Sequence, residues 1–95
     1  MSDEGSFSVR LVDEDGYPIG DRSVTVFYGG FLSGYETQYT DSDGWAEFPT
    51  FGHSNVDKIY SYELHGLLVQ KRDVLLSDGE SIFDGATFSF TIQDE

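Results

Sequence analysis

The sequence has no cysteine, only two prolines, a single methionine and five basic residues. Each scarcity rules something out. Without cysteine there is no disulfide staple, no thiolate zinc site and no thiol nucleophile. No apolar run approaches the roughly 18 residues that read as a membrane-crossing helix. The opening Met1-Ser2-Asp3-Glu4 has neither the basic nor the apolar region of a secretory leader. As a whole gene product the chain reads as cytoplasmic. As an excised domain of a longer protein it reads as extracellular. Arg10, Arg22, Lys58, Lys71 and Arg72 face eighteen acidic residues, for a net charge of −13. Nucleic acids and anionic membranes are held by cationic surfaces, so neither is expected as a partner.

What the chain does have is glycine and aromatic residues. Eleven glycines punctuate 95 residues, and eight Phe, six Tyr and one Trp lift the aromatic share to 16% within an apolar total of 38%. The length suits one domain, residues 1–95, with residues 1–5 as a disordered polar start. A chain of this size buries roughly two-thirds of its unfolded surface, so one modest core is feasible and the rings must fill much of it.

Alternation with period two runs through the chain. Phe7, Val9 and Leu11 share a face that ends at Asp13-Glu14-Asp15-Gly16. Arg22–Tyr28 is a second strand, with Val24, Val26 and Tyr28 on one side, broken by Gly29-Gly30. Gly34–Thr40 is a third strand. The turn Asp41-Ser42-Asp43-Gly44 then predicts a hairpin into Trp45–Phe48, pairing Thr40 with Trp45, Tyr39 with Ala46 and Thr37 with Phe48. That register turns Tyr39, Ala46 and Phe48 inward and Trp45 and Glu47 outward. Asp57–Leu64 is a further strand with Tyr60, Tyr62 and Leu64 on one side, and His65-Gly66 is a short turn. Leu67–Leu76 returns, with a bulge where the alternation slips near Lys71-Arg72-Asp73. Ser77–Gly85 is a long turn. In the last strand Ala86, Phe88, Phe90 and Ile92 alternate with polar residues. No segment keeps a helical period. The expected fold is all-β: a two-sheet antiparallel β-sandwich of about seven strands, immunoglobulin-like or prealbumin-like.

Two segments carry a family resemblance. Val9-Arg10-Leu11-Val12-Asp13-Glu14-Asp15-Gly16-Tyr17-Pro18-Ile19 resembles the opening of a carboxypeptidase regulatory-like or transthyretin-like domain: a strand, an acidic Asp-Gly turn, then Pro and an aliphatic residue. Thr40-Asp41-Ser42-Asp43-Gly44-Trp45-Ala46-Glu47-Phe48 is similar to the family's Thr-Asp-x-x-Gly-x-x-x-Phe segment. Together they span residues 7–48; the second half matches only in strand rhythm. The resemblance implies a prealbumin-like sandwich and an accessory, stalk or binding role. Related pilin and adhesin modules form an isopeptide bond from a Lys just ahead of the first Asp turn. Here that position holds Leu11, or at best Arg10. Related hydrolases need clustered His and Arg and a Tyr-Arg-Gly-Ser terminus, whereas this chain ends Phe90-Thr91-Ile92-Gln93-Asp94-Glu95. Neither activity is implied.

Candidate sites are few. Asp13/Asp15 and Asp41/Asp43 are weak Ca²⁺ candidates. Setting Gly16 or Gly44 at the glycine position of an EF-hand loop puts Leu11 or Tyr39 at the first ligand position and Arg22 or Thr50 at the last, so both registers fail. Asp and Gly at these spacings make turns without any metal. No metal or other cofactor is expected. His53 and His65 stand alone in sequence and read as solvated structural residues. No phosphate loop, serine elbow or metalloprotease helix is present. Phe27, Phe31 and Trp45, with Tyr17, do not fit core positions. Exposed, they could form a patch for a protein, a carbohydrate ring or a second copy of the chain.

The leading expectation is a non-catalytic structural or protein-interaction module, monomeric or weakly dimeric. Its acidic residues are spread along the chain rather than gathered in a tail. Spread carboxylates suit work in high salt better than one acidic face for a basic partner or divalent cation. The alternatives are a carbohydrate-binding accessory domain using aromatics near Trp45 and, below it, a small hydrolase with a dispersed acidic site.

Overall fold

The alternation seen in the sequence becomes eight strands in two packed sheets. The computed structural model describes residues 5–30, 34–65 and 70–93, with 62–65 and 70–73 described through their backbone. The strands are β1 (Ser6–Val12), β2 (Ser23–Tyr28), β3 (Gly34–Tyr39), β4 (Trp45–Pro49), β5 (Asn55–His65), β6 (Gln70–Ser77), β7 (Glu80–Ser81) and β8 (Thr87–Thr91). One sheet has three strands in the order β4-β1-β8. The other runs β3-β2-β5-β6, with β7 paired to β5. The fold is a β-sandwich, and no helix occurs among the described residues.

The core lies between the sheets and draws on the alternating sets of both. Phe7, Val9 and Leu11 of β1 and Phe48 of β4 meet Val24 and Val26 of β2 and Val56 and Ile59 of β5, all essentially fully buried. Phe7 stacks on Phe48, its register partner, at 5.5 Å between centroids and takes the edge of Phe88 at 6.1 Å. Burying one such ring contributes about 2–3 kcal/mol by area, with ~1 kcal/mol more from the ring pairing. Polar residues that enter the core are bonded there. Ser61 Oγ, fully buried, donates to the Ser23 carbonyl at 2.9 Å and accepts from Arg22 Nε at 2.7 Å.

Several expectations need correction. β3 and β4 do not form a hairpin: they lie at edges of different sheets. Thr40 N donates to the Arg22 carbonyl at 2.9 Å, while Leu11 N donates to the Gly44 carbonyl at 2.9 Å, so the Asp41–Gly44 turn carries the chain from one sheet to the other. β4 pairs instead with β1, whose buried Phe7 and Val9 match Phe48 and Ala46. Tyr39 therefore faces outward and is 61% exposed. The pairing is not wholly antiparallel, because β8 runs parallel to β1, with Ser8 opposite Thr87 and Val12 opposite Thr91.

The second half also shifts. β5 begins at Asn55 and runs through His65, so His65 is in a strand and not a turn. The irregularity in the β5–β6 pairing falls between Ile59 and Tyr60, where Ile59 opposes Ser77 and Tyr60 opposes Leu75. It bulges Leu76 rather than Lys71–Asp73. The stretch read as a long turn, 77–85, contains β7 and a core residue, Ile82.

Candidate functional site

The two Asp-Gly turns come first, because they account for the paired carboxylates. Asp13 Oδ1 accepts from the N–H groups of Asp15 and Tyr17, both at 2.9 Å. Asp41 Oδ1 accepts from Asp43 at 2.9 Å and Trp45 at 3.0 Å. Gly16 and Gly44 have φ of 87° and 86°, and their N–H groups bond back to the Asp13 and Asp41 carbonyls at 3.0 and 2.9 Å. The turns are two copies of one device. Each aspartate side chain satisfies two backbone donors, which accounts for these residues as turn formers. Asp15 and Asp43, the other members of the two pairs, are exposed. Among the described residues no group of three or more His, Asp or Glu gathers as a metal shell.

The sequence candidates are separated in space. Trp45 lies in the three-stranded sheet opposite Arg10, on its outer face and half-buried. The Arg10 guanidinium carbon sits 5.7 Å from the Trp45 ring centroid, a cation–π geometry, while Arg10 Nε donates to the Asp43 carbonyl at 3.1 Å. Tyr17 is exposed at its turn, and Phe31 lies outside the described residues. Phe27 is on the other sheet altogether, and it has company that the sequence did not reveal.

β2 is central in the five-stranded sheet, so its outward residues Ser23, Thr25 and Phe27 form the middle row of that sheet's outer face. Register places Tyr39, Thr37 and Tyr35 of β3 beside them, and Tyr60 and Lys58 of β5 beside Thr25 and Phe27. Leu75 of β6 follows Tyr60. The Phe27 ring lies 5.7 Å from Tyr35, tilted 35°, and 5.8 Å from Tyr60, nearly perpendicular at 85°. Thr25 Oγ1 and Thr37 Oγ1 share a hydrogen bond of 2.8 Å that fixes the middle of the face. Tyr35, Tyr39 and Leu75 remain exposed at 68%, 61% and 45%. None of these nine residues is acidic, in a chain with eighteen acidic residues. Glu14, Asp21, Asp78 and Asp84 stand exposed at turns and strand ends, Asp78 paired to Lys58 at 3.1 Å, while Asp73 of β6 follows Tyr62 in register at the margin of this face.

A second feature lies at one end of the same sheet. Tyr28 stacks on His53 at 4.8 Å and meets Phe51 edge-on at 5.8 Å. Its hydroxyl donates to the Pro49 carbonyl. Burial, with a smaller contribution from the Glu36 charge, pushes the Tyr28 phenol up to about 12. His53 Nδ1 lies 2.9 Å from the Gly29 carbonyl, so Nδ1 carries the proton and donates. An open groove of about 310 Å³ is lined here by Gly29, Phe51, His53 and Asn55, and no carboxylate among the described residues lines it. Phe51 holds a φ of 52°, a left-handed conformation uncommon for a non-glycine residue.

No family model matches the chain, and no curated protein matches it. Among solved structures it is similar to part of a 9R-lipoxygenase from Cyanothece PCC8801, with a TM-score of 0.58 and 11% identity. The match covers 94% of this chain and 16% of that one. At this identity the likeness concerns the sandwich fold alone.

Proposed function

We propose that the chain is a non-catalytic protein-interaction module that docks its partner on the outer face of the five-stranded sheet. One observation carries this reading: exposed Tyr35 and Tyr39 cluster with Phe27 and Tyr60 on a face whose acids, Asp73 in register with Tyr62 and Asp78 paired to Lys58, stand at its margin, in a chain of charge −13. Exposed tyrosines beside a half-buried Phe27 are the residue types that act as binding anchors. Four strands about 4.8 Å apart and five residues of ~3.4 Å each give a plan area on the order of 250 Å². That suits the centre of an interface, with further contact from the rim, since a standard interface buries about 800 Å² per partner.

The acidic surface belongs to the same proposal as an adaptation to concentrated salt, where short-range screening removes the self-repulsion. The carboxypeptidase regulatory-like resemblance of residues 7–48 fits a sandwich in an accessory or binding role. A carbohydrate ligand has less support. Trp45 is capped by Arg10 on the opposite sheet, and the Phe27 and Tyr60 rings stand at 85° instead of sharing a stacking plane.

The test is site-specific photo-crosslinking in cells of the source organism, with the photoreactive residue at Thr37 on the aromatic face or at Ser8 on the other sheet. A discrete protein adduct is expected from Thr37, not from Ser8, and it should be lost when Tyr35→Asp is added. The same adducts from both positions, or none from Thr37, would sink the docking face. Chemical-shift changes at Tyr35 and Tyr39 with soluble oligosaccharides would move the reading to carbohydrate.

A further inference from the structure

An edge strand leaves a row of backbone N–H and C=O groups open to pairing with another chain. Proteins guard such edges with charge, proline or a bulge. The ends of the two sheet orders are β4, β8, β3 and β6. β4 carries Glu47 and Pro49, and β3 carries Glu36. β6 carries Lys71, Arg72 and Asp73 and is bulged against β5. β8, Thr87-Phe88-Ser89-Phe90-Thr91, has no charge, no proline and no glycine, and it pairs with β1 over five consecutive positions without a bulge.

The direction of its free groups follows from the ladder. Ser8 N donates to the Ala86 carbonyl at 2.9 Å, and Ile92 N donates to the Val12 carbonyl at 2.8 Å. Parallel pairing alternates along a strand, so the peptide groups of Phe88 and Phe90 turn to β1 while those of Thr87, Ser89 and Thr91 turn away from the sheet. These three residues are exposed, and no bond among the described residues engages their outward groups.

We propose that β8 is a strand-accepting edge: an extended, lysine- or arginine-bearing segment of another protein adds beside it as a fourth strand of the three-stranded sheet. Backbone pairing to Thr87, Ser89 and Thr91 supplies the binding, and their hydroxyls favour Thr or Ser across the pair. Charge supplies the choice of occupant. The chain carries −13, Asp84 precedes β8, and Asp13 follows Val12, the residue level with Thr91. A second copy sets its own Asp84 and Asp13 against these carboxylates and is repelled at contact range, where screening acts least. The edge belongs to a different sheet from the aromatic face, so this proposal stands or falls separately from the docking reading above.

The probe is a capped synthetic peptide of alternating threonine and valine with a lysine at each end, and its counterpart N-methylated at every residue between the lysines. Both have the same charge, but the second offers no threonine or valine N–H on either edge. Binding is followed by NMR titration and by amide hydrogen exchange. The unmethylated peptide should slow exchange of the Thr87, Ser89 and Thr91 amides. Methylation, or Ser89→Pro in the protein, should weaken binding about tenfold or more, the worth of one to two net hydrogen bonds. Equal affinity for both peptides would reduce the effect to charge attraction and overturn the proposal. So would absence of binding at millimolar peptide, or protection at Tyr35 and Thr37 instead of β8. Concentration-dependent protection of β8 without peptide would assign the edge to a second copy and overturn the proposed occupant.

Discussion

Gly16 and Gly44 occupy the same place in two copies of one turn, and that makes a controlled experiment. Their φ angles are 87° and 86°, so alanine at either meets the same left-handed penalty. That penalty is about 1–2 kcal/mol. The surroundings differ. A Cβ on Gly16 meets nothing within 4 Å, whereas a Cβ on Gly44 falls 2.6 Å from the Leu11 carbonyl oxygen and 3.2 Å from Pro18 Cβ. The Leu11 oxygen belongs to the central strand β1, and Leu11 N is already bonded to the Gly44 carbonyl. Relief thus requires a shift of sheet backbone, and overpacking of this kind adds about 1–3 kcal/mol. Gly16→Ala should cost roughly 1 kcal/mol and Gly44→Ala roughly 3 kcal/mol. For a domain of this size each kcal/mol moves Tm by about 4–8 °C. Thermal and urea unfolding by circular dichroism, in molar KCl throughout, measures both. Costs equal within about 0.5 kcal/mol, the level at which independent changes add, would refute the packing argument. They would leave backbone conformation as the whole effect.

Two further predictions concern the charge and the buried phenol. Thermal unfolding from dilute to molar KCl shortens the Debye length from roughly 30 Å to ~3 Å, so Tm should rise steeply with salt; a flat profile would remove the high-salt half of the proposal. Tyr28 titrates at about 12 in the folded protein, above the ordinary value of 10.0. The native state therefore holds this proton more tightly than the unfolded chain. Its contribution is fully present below pH 10 and is lost as pH rises through about 12. Alkaline unfolding should begin in that window, with the phenol absorbance of one tyrosine lagging the others. Tyr28→Phe should abolish the lag, and an unchanged titration would contradict the assignment.

Much of the sandwich was legible because its signals are local. Phe7, Val9 and Leu11 alternate cleanly, and Asp13–Gly16 and Asp41–Gly44 announce turns by residue type. What failed was non-local. The Asp41–Gly44 turn looks the same whether β4 pairs with β3 or with β1, because its own bonds close within the turn. Choosing β1 depends on matching Phe48 to Phe7, strands separated by two others. The same error turned Tyr39 inward. The aromatic face was half visible for a related reason. Phe27 stood out as a ring on the Ser23/Thr25 side of its strand, but its neighbours Tyr35 and Tyr60 arrive from two other strands by register. No spacing in the chain encodes that meeting. Trp45 was placed outward correctly, yet its cover by Arg10 comes across the same unforeseen β1–β4 pair.

The parallel pairing of β8 with β1 has a consequence for how the molecule is made. β1 is the first of these eight strands to leave the ribosome and lies at the centre of its sheet, yet Ser8 must wait for Thr87. Until β8 is available, one flank of β1 stays open and Phe88 cannot reach the edge of Phe7. Assembly of the three-stranded sheet is then a late, long-range closure, of the kind that makes β-sandwiches slow folders. A nascent chain stalled before β8 would present a second open edge, along β1 itself, with Arg10 as its one charged residue.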